Sequence, residues 1–219
     1  MFERVMVVGR GRVGSAVAAR LAERGVAVTE DGAELVLLCV PDSAIHEVAA
    51  KIPVGPWVAH MSGATPLAAL DPHSRRFSVH PLQTFSRRLG PEQLDGAWSA
   101  VTGEGEDASV RGVWLAERLG LRPFQLDDRN RVLYHAGAVI ASNYLVTLYR
   151  VASRLLEQAG APPEALVPLM RRTIENGFDL TGPIARGDWA IVNAHLAEIA
   201  ARAPDVEPMY RVLADITAR

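Results

Sequence analysis

Apolar and polar positions follow two different rhythms in the two parts of this chain. Up to residue 126, short continuous apolar runs alternate with stretches of helical spacing. Val5, Met6, Val7 and Val8 form such a run, as do Leu35, Val36, Leu37 and Leu38. Runs of this kind suit strands of a parallel sheet that is covered on both faces. The pattern predicts strands over 4–8, 26–29, 35–40, 57–61, 77–79, 97–102 and 122–126, with helices over 15–24, 43–51 and 109–119. Strands alternating with helices indicate an α/β, Rossmann-type, doubly wound and mostly parallel sheet. After Asp127-Asp128 no strand pattern remains. Helices are expected over about 130–160, 163–176, 188–203 and 206–218, punctuated by Pro162-Pro163, Gly182-Pro183 and Pro204. The chain therefore divides into an α/β domain, 1–126, and an all-α domain, 127–219.

The first strand runs directly into Gly9-Arg10-Gly11-Arg12-Val13-Gly14, which opens the first helix. In a turn of this spacing Gly9 permits the sharp bend. Gly11 lets the backbone approach a pyrophosphate, and Gly14 lets the helix pack on the strand. The phosphates then meet free amides at a helix N-terminus. Glu30 and Asp31 lie about twenty residues past Gly9, the distance of a ribose-binding acid, and would favour NAD. Arg10 and Arg12 favour NADP instead, because arginine can hold an extra phosphate. The chain between the second and third strands is too short for the usual second crossover helix, so the ribose segment is abbreviated.

Further polar groups gather at the expected C-terminal ends of successive strands, where open α/β sheets bind their ligands. They are Val40-Pro41-Asp42, Ser62-Gly63-Ala64 and His80-Pro81-Leu82-Gln83. His80 can exchange a proton near neutral pH. Ser62 can bind a nicotinamide amide or substrate, and Gln83 a substrate. His60 alternates into its strand and reads as packing. In the helical half, His135, Ser142 and Asn143 share a helix padded with alanine and glycine. Arg186, in a dense turn before the N-cap candidate Asp188, can clamp a carboxylate.

Composition narrows the chemistry. With a net charge of -2 there is no electrostatic reason to expect a nucleic-acid partner. Cys39 is the single cysteine, which excludes an intramolecular disulfide and a cysteine-based zinc site; inside its apolar run it reads as a small buried hydrophobe. The histidine spacing suggests no metal site. The first residues lack signal-peptide features, and no apolar stretch approaches the roughly 20 residues that span a bilayer, so no membrane partner and a cytoplasmic location are expected. Lys51 is the one lysine, which leaves a single candidate for any lysine-dependent mechanism.

These motifs, taken in order, resemble a bacterial family of proposed NADP oxidoreductases that join a Rossmann domain to a helical domain of unassigned function. The resemblance rests on Gly9 to Gly14, Val40-Pro41-Asp42, His60 to Ala64, His80 to Phe85, Tyr134 to Tyr144 and Leu180 to Asp188. It extends to the wider group of 6-phosphogluconate dehydrogenase-like enzymes, which includes pyrroline-5-carboxylate reductase, ketopantoate reductase and prephenate dehydrogenase. It implies a helical domain that forms a homodimer and a site between the domains. The lysine that ketopantoate reductase places one turn before its asparagine is absent, since Val139 stands one turn before Asn143.

The expected function is an NAD(P)-dependent oxidoreductase for a small carboxylate-bearing ketone, imine or alcohol. The cofactor, NADP or NAD, would be held by Gly9, Arg10, Gly11, Arg12, Val13, Gly14, Glu30, Val40, Pro41 and Ser62. His80, His135 and Asn143 would be catalytic; Gln83, Ser142 and Arg186 would bind substrate. The alternative is a non-catalytic dimeric ligand-binding or scaffold protein that has lost the dinucleotide through its abbreviated ribose segment.

Overall fold

The computed structural model describes Met1–Arg219. By its contacts the chain divides into two units, Met1–Ser142 and Asn143–Arg219.

The first unit is built on one seven-stranded sheet with the order β2-β1-β3-β4-β5-β6-β7. The strands are β1 (Arg4–Val8), β2 (Ala27–Val28), β3 (Leu35–Leu38), β4 (Trp57–His60), β5 (Arg76–Pro81), β6 (Trp98–Gly103) and β7 (Arg122–Gln125). Its helices are α1 (Arg12–Glu23), α2 (Ile45–Ala49), α3 (Glu106–Arg118) and α4 (Arg131–Val139). Strand β3 explains why the apolar runs lack alternation. Leu35 and Leu37 pack with Val17 and Leu21 of α1 and Leu115 of α3. Val36 and Leu38 pack instead with Ile45 and Ala49 of α2 and with Leu67 and Leu70. Both faces are covered, so every position is apolar.

Two connections depart from a regular doubly wound sheet. β2 lies parallel to β1 and ends with Val28 beside Val5, the level at which Leu35 begins β3 on the other side of β1. The linking residues 29–34 return beneath the start of β1. There the Glu34 carboxylate accepts from Glu3 N at 2.7 Å, and Arg4 Nε donates to the Gly32 carbonyl at 2.8 Å. A strand this short needs no helix to bring the chain back. The second departure is the antiparallel pairing of β5 with β6, the other pairs being parallel. Residues 82–97 contain only one short helical turn, Pro91–Leu94, which is too little for a crossover back to a parallel start.

Helix α4 belongs with the sheet although it follows the loss of strand pattern at residue 127. Arg131 secures it by hydrogen bonds to Ser78 of β5 and Thr102 of β6. Residues Ile140–Tyr144 then take a wider π-helical turn. The second unit comprises α5 (Leu145–Gln158), α6 (Leu166–Glu175), α7 (Trp189–Arg202) and α8 (Glu207–Thr217). Ile199, Ala203 and Val206 form its small core with Val151, Leu155, Met209 and Tyr210. Asp188 caps α7 by accepting from Ile191 N at 3.4 Å. No helix is long and apolar enough to cross a membrane.

Candidate active site

The glycines between β1 and α1 have three distinct jobs. Gly9 has φ +105°, a region that side chains avoid, and a Cβ there would lie 2.6 Å from the Cys39 carbonyl oxygen. A Cβ on Gly14 would lie 1.9 Å from the Gly9 oxygen and 3.0 Å from Cys39 Cβ, so α1 can sit this close to the sheet only without one. Around Gly11 nothing approaches within 4 Å: its side is open. Gly11 is also the N-cap of α1, no side chain caps the helix, and its first turn carries no acid. Uncapped first-turn amides and the helix dipole favour an anion at this point. An open backbone approach beside such a terminus fits a diphosphate.

The residues expected around that group frame the turn. Arg10 and Glu30 face one another at 4.0 Å, both exposed. The Arg12 guanidinium donates to the Phe85 carbonyl at 3.3 Å, which draws the loop after β5 against the turn. Val40 and Pro41 follow directly on Cys39, whose carbonyl backs Gly9. Asp31 forms a small turn with Thr29, its amide donating to Thr29 Oγ1 at 3.2 Å.

A second cluster forms where β4 and β5 end and α4 passes. His80 Nδ1 and the Tyr134 hydroxyl share a hydrogen bond of 2.8 Å. The His80 and His135 ring centroids are 6.0 Å apart and nearly perpendicular. Both rings lie on Gly63: a Cβ there would be 2.7 Å from His135 Cδ2 and 2.8 Å from His80 Nε2. The absent side chain is what admits the two imidazoles.

Beneath this cluster lies a guanidinium that is 1% exposed. Arg131 donates to Ser78 Oγ at 2.6 Å, to Thr102 Oγ1 at 2.9 Å and to the Ser62 carbonyl. Its nearest carboxylate, Asp128, stands 3.8 Å away and also accepts from Leu67 N. A buried cation that Asp128 and Asp42 offset only in part raises the local potential, and the neighbouring groups respond. Burial first, then the charges of His135 and Arg131, hold His80 down to about 4, with Asp42 opposing. Burial, followed by Arg131 and His80, pushes His60 down to about 3. Burial raises Tyr134 to about 12 against the pull of Arg131. At neutral pH both histidines are uncharged and the phenol keeps its proton.

The structure thus brings His80 and His135 together and adds three residues to which sequence reasoning gave no role: Arg131, Tyr134 and Gly63. A lone arginine in the first turn of an otherwise apolar helix was the available signal for Arg131. Ser62 is buried, and its hydroxyl accepts from Thr65 N at 3.0 Å and Ala64 N at 3.3 Å, so it shapes the turn that carries Gly63. His60 packs as expected, with Nδ1 accepting from Ser62 N at 3.2 Å. Gln83 donates to the Gln93 carbonyl at 3.2 Å and accepts from Thr84 N, which ties it into its own loop. Ser142 donates from the π turn to the Ala138 carbonyl of α4 at 2.7 Å. Asn143 and Arg186 lie in the helical unit, where Arg186 donates to the Thr181 carbonyl.

Solved structures share this fold over nearly the whole chain. A protein from Bacteroides fragilis, whose name proposes an NADP oxidoreductase, is 20% identical, with a TM-score of 0.81 over 99% of this chain and 98% of its own. Protein TM1727 from Thermotoga maritima is 25% identical, with a TM-score of 0.72 over 99% of both chains. The 1-pyrroline-5-carboxylate reductase of Streptococcus pyogenes is 13% identical, with a TM-score of 0.63 over 98% of both chains. No curated protein matches the chain. The Rossmann unit followed by helices is therefore the fold anticipated from the sequence. A family model described as Domain of unknown function (DUF2520) matches residues 97–217, more than half of the sequence, and the chain belongs to that family.

Proposed function

We propose that this protein is an NAD(P)-dependent oxidoreductase acting on a small carboxylate-bearing ketone, imine or alcohol. The observation that carries the reading is the glycine turn: an open Gly11 beside an uncapped α1, with Gly9 and Gly14 sterically obligatory around it. Names among the structural neighbours, an NADP oxidoreductase and a pyrroline-5-carboxylate reductase, support the same class. Gly9 to Gly14 would hold the diphosphate, with Val40 and Pro41 alongside. Arg10 and Glu30 would face the adenosine ribose, and their opposite charges leave the choice between NADP and NAD to their balance.

When bound, the dinucleotide supplies or accepts a hydride. The chain's own part is to orient the substrate and manage a proton. His80, with its Nε2 over Gly63, stands at the C-terminal end of β5 and is the acid–base candidate, with His135 beside it. Asn143 and Arg186 are proposed to engage the substrate's heteroatom and carboxylate. The exposed apolar side chains of the helical unit, such as Leu169 and Leu180, are read as the surface for a second copy; a strictly monomeric sedimentation profile removes that part.

The test is consumption of reduced nicotinamide dinucleotide with a panel of 2-oxo acids and cyclic imines. His80→Ala is expected to lower kcat/KM about 100-fold or more. Turnover equal to wild type in that variant removes His80 from the mechanism. Failure to bind either dinucleotide at about 1 mM favours the scaffold reading instead.

A further inference from the structure

The hydrogen bond between His80 and Tyr134 has a direction, and that direction decides what the site can bind. If Nδ1–H donated to the phenol oxygen, the phenolic proton would have no protein acceptor, because His80 is the only partner of the Tyr134 hydroxyl. If the phenol donates instead, the proton without a protein acceptor is the ring's own, and the bond is the stronger of the two, because a phenol O–H is a better donor than a neutral imidazole N–H and an imidazole nitrogen a better acceptor than a phenol oxygen. The ring proton of the neutral imidazole must then sit on Nε2. That nitrogen has no protein partner, and it lies over Gly63, where no side chain intervenes. Arg131 stands one turn before Tyr134 on α4, and its cation favours electron density on the phenol oxygen.

We propose that Tyr134 is the positioning residue of His80: its hydroxyl donates to Nδ1, fixes the ring proton on Nε2, and makes His80 a donor to a ligand atom that carries a lone pair. Reduction of a carbonyl or imine needs a proton given to that atom, whereas oxidation of an alcohol or amine would need an unprotonated Nε2 to take one, so the site is set for reduction. The uncharged state of His80 agrees, since an imidazole held down to about 4 is a neutral donor at pH 7. This narrows the oxidoreductase reading and rests on it for the identity of the reaction. The tautomer itself does not depend on it.

The proton account balances. With a reduced dinucleotide bound to supply the hydride to the substrate carbon, the Nε2–H bond would break as a new O–H or N–H bond forms on the substrate. The Tyr134 O–H bond breaks at the same time and an Nδ1–H bond forms. The imidazole stays neutral, and the negative charge is left on the phenol oxygen near Arg131 until water reprotonates it.

The experiment is long-range proton–nitrogen NMR of the histidine rings in the intact, nitrogen-15-labelled protein at neutral pH, with His80→Gln assigning the His80 signals. The expected spectrum has Nε2 protonated and Nδ1 as a hydrogen-bonded acceptor. Tyr134→Phe is expected to release this preference, giving a mixture of tautomers or the Nδ1–H form. If that variant does not fold, uniform 3-fluorotyrosine labelling of the wild type makes the phenols more acidic and is expected to shift the His80 Nδ1 signal. Tyr210→Phe serves as the control, because Tyr210 pairs with His195 at 2.7 Å and must move His195 alone. An Nδ1–H tautomer in the wild type, or a His80 spectrum indifferent to both changes at Tyr134, overturns the proposal. With a turned-over ketone or imine, Tyr134→Phe should lower kcat about tenfold and leave KM nearly unchanged. Absence of dinucleotide binding would defeat the oxidoreductase reading while the ring spectra still decide the tautomer.

Discussion

Every buried polar or charged residue of this protein lies in the sheet unit, Met1–Ser142, and none in the helical unit, Asn143–Arg219. The sheet unit encloses His60, Ser62, Ser78, Thr102 and Arg131 within an apolar frame that covers both faces of the sheet. The helical unit does the reverse: its fully buried side chains are few and apolar, while Leu169, Phe178 and Leu180 are each more than 60% exposed. Burying a polar group is unfavourable unless its hydrogen bonds are replaced. A fold that does so in one unit only has concentrated its constraints there. The lesson is that substitutions of the same kind should have very different consequences in the two units.

The sharpest contrast uses glycine. Gly14→Val forces a side chain onto the Gly9 carbonyl and should lower unfolding stability by about 3 kcal/mol or more, which urea melts would record. Gly182→Val meets nothing within 4 Å and should change it by no more than about 0.5 kcal/mol. Equal losses would erase the distinction between the units.

Arginine gives the next comparison. Arg131→Met leaves the Ser62 carbonyl and the Ser78 and Thr102 hydroxyls without their donor, at a cost of about 3 kcal/mol. Arg186→Met removes an exposed side chain and should stay within about 0.5 kcal/mol by the same melts. A tolerant Arg131 site would mean that the cluster is held by packing alone.

A smaller effect comes from pH. His60 and His80 titrate near 6.5 when unfolded but are held at about 3 and about 4 in the fold. The unfolded chain therefore takes up protons that the fold refuses, so their stabilisation is complete above pH 6.5. It is lost as pH falls through that value towards 4. Thermal melts between pH 7 and pH 4 should show a falling Tm, and His80→Asn should flatten part of the slope. A flat profile in the wild type would contradict the buried, uncharged state of both rings.

These contrasts also show what a single sequence can reveal. The glycine turn was readable because each of its positions answers a local steric demand that neighbouring residues already announce. The strands were readable because Leu35 to Leu38 must be apolar on both sides. The antiparallel β6 was not, since pairing direction depends on how far residues 82–97 can travel, which periodicity does not measure. Arg131 was missed for a related reason: its partners Ser62, Ser78 and Thr102 are distant in sequence and individually ordinary. Tyr134 was seen as part of a motif without a role, because its meaning comes from His80 across the fold. The loss of strand pattern at residue 127 could not tell that α4 packs with the sheet, because hydrophobic spacing reports that a helix has an apolar face and not which unit covers it.

Calorimetric titration of the intact protein with NADPH and NADH, beside Gly11→Val, addresses the dinucleotide site most directly. Gly11 faces open space, so the valine should leave the fold intact while obstructing a diphosphate. The account predicts saturable binding of at least one dinucleotide below about 1 mM, weakened about tenfold or more by the substitution. No binding by the wild type, or equal binding by both proteins, would contradict it.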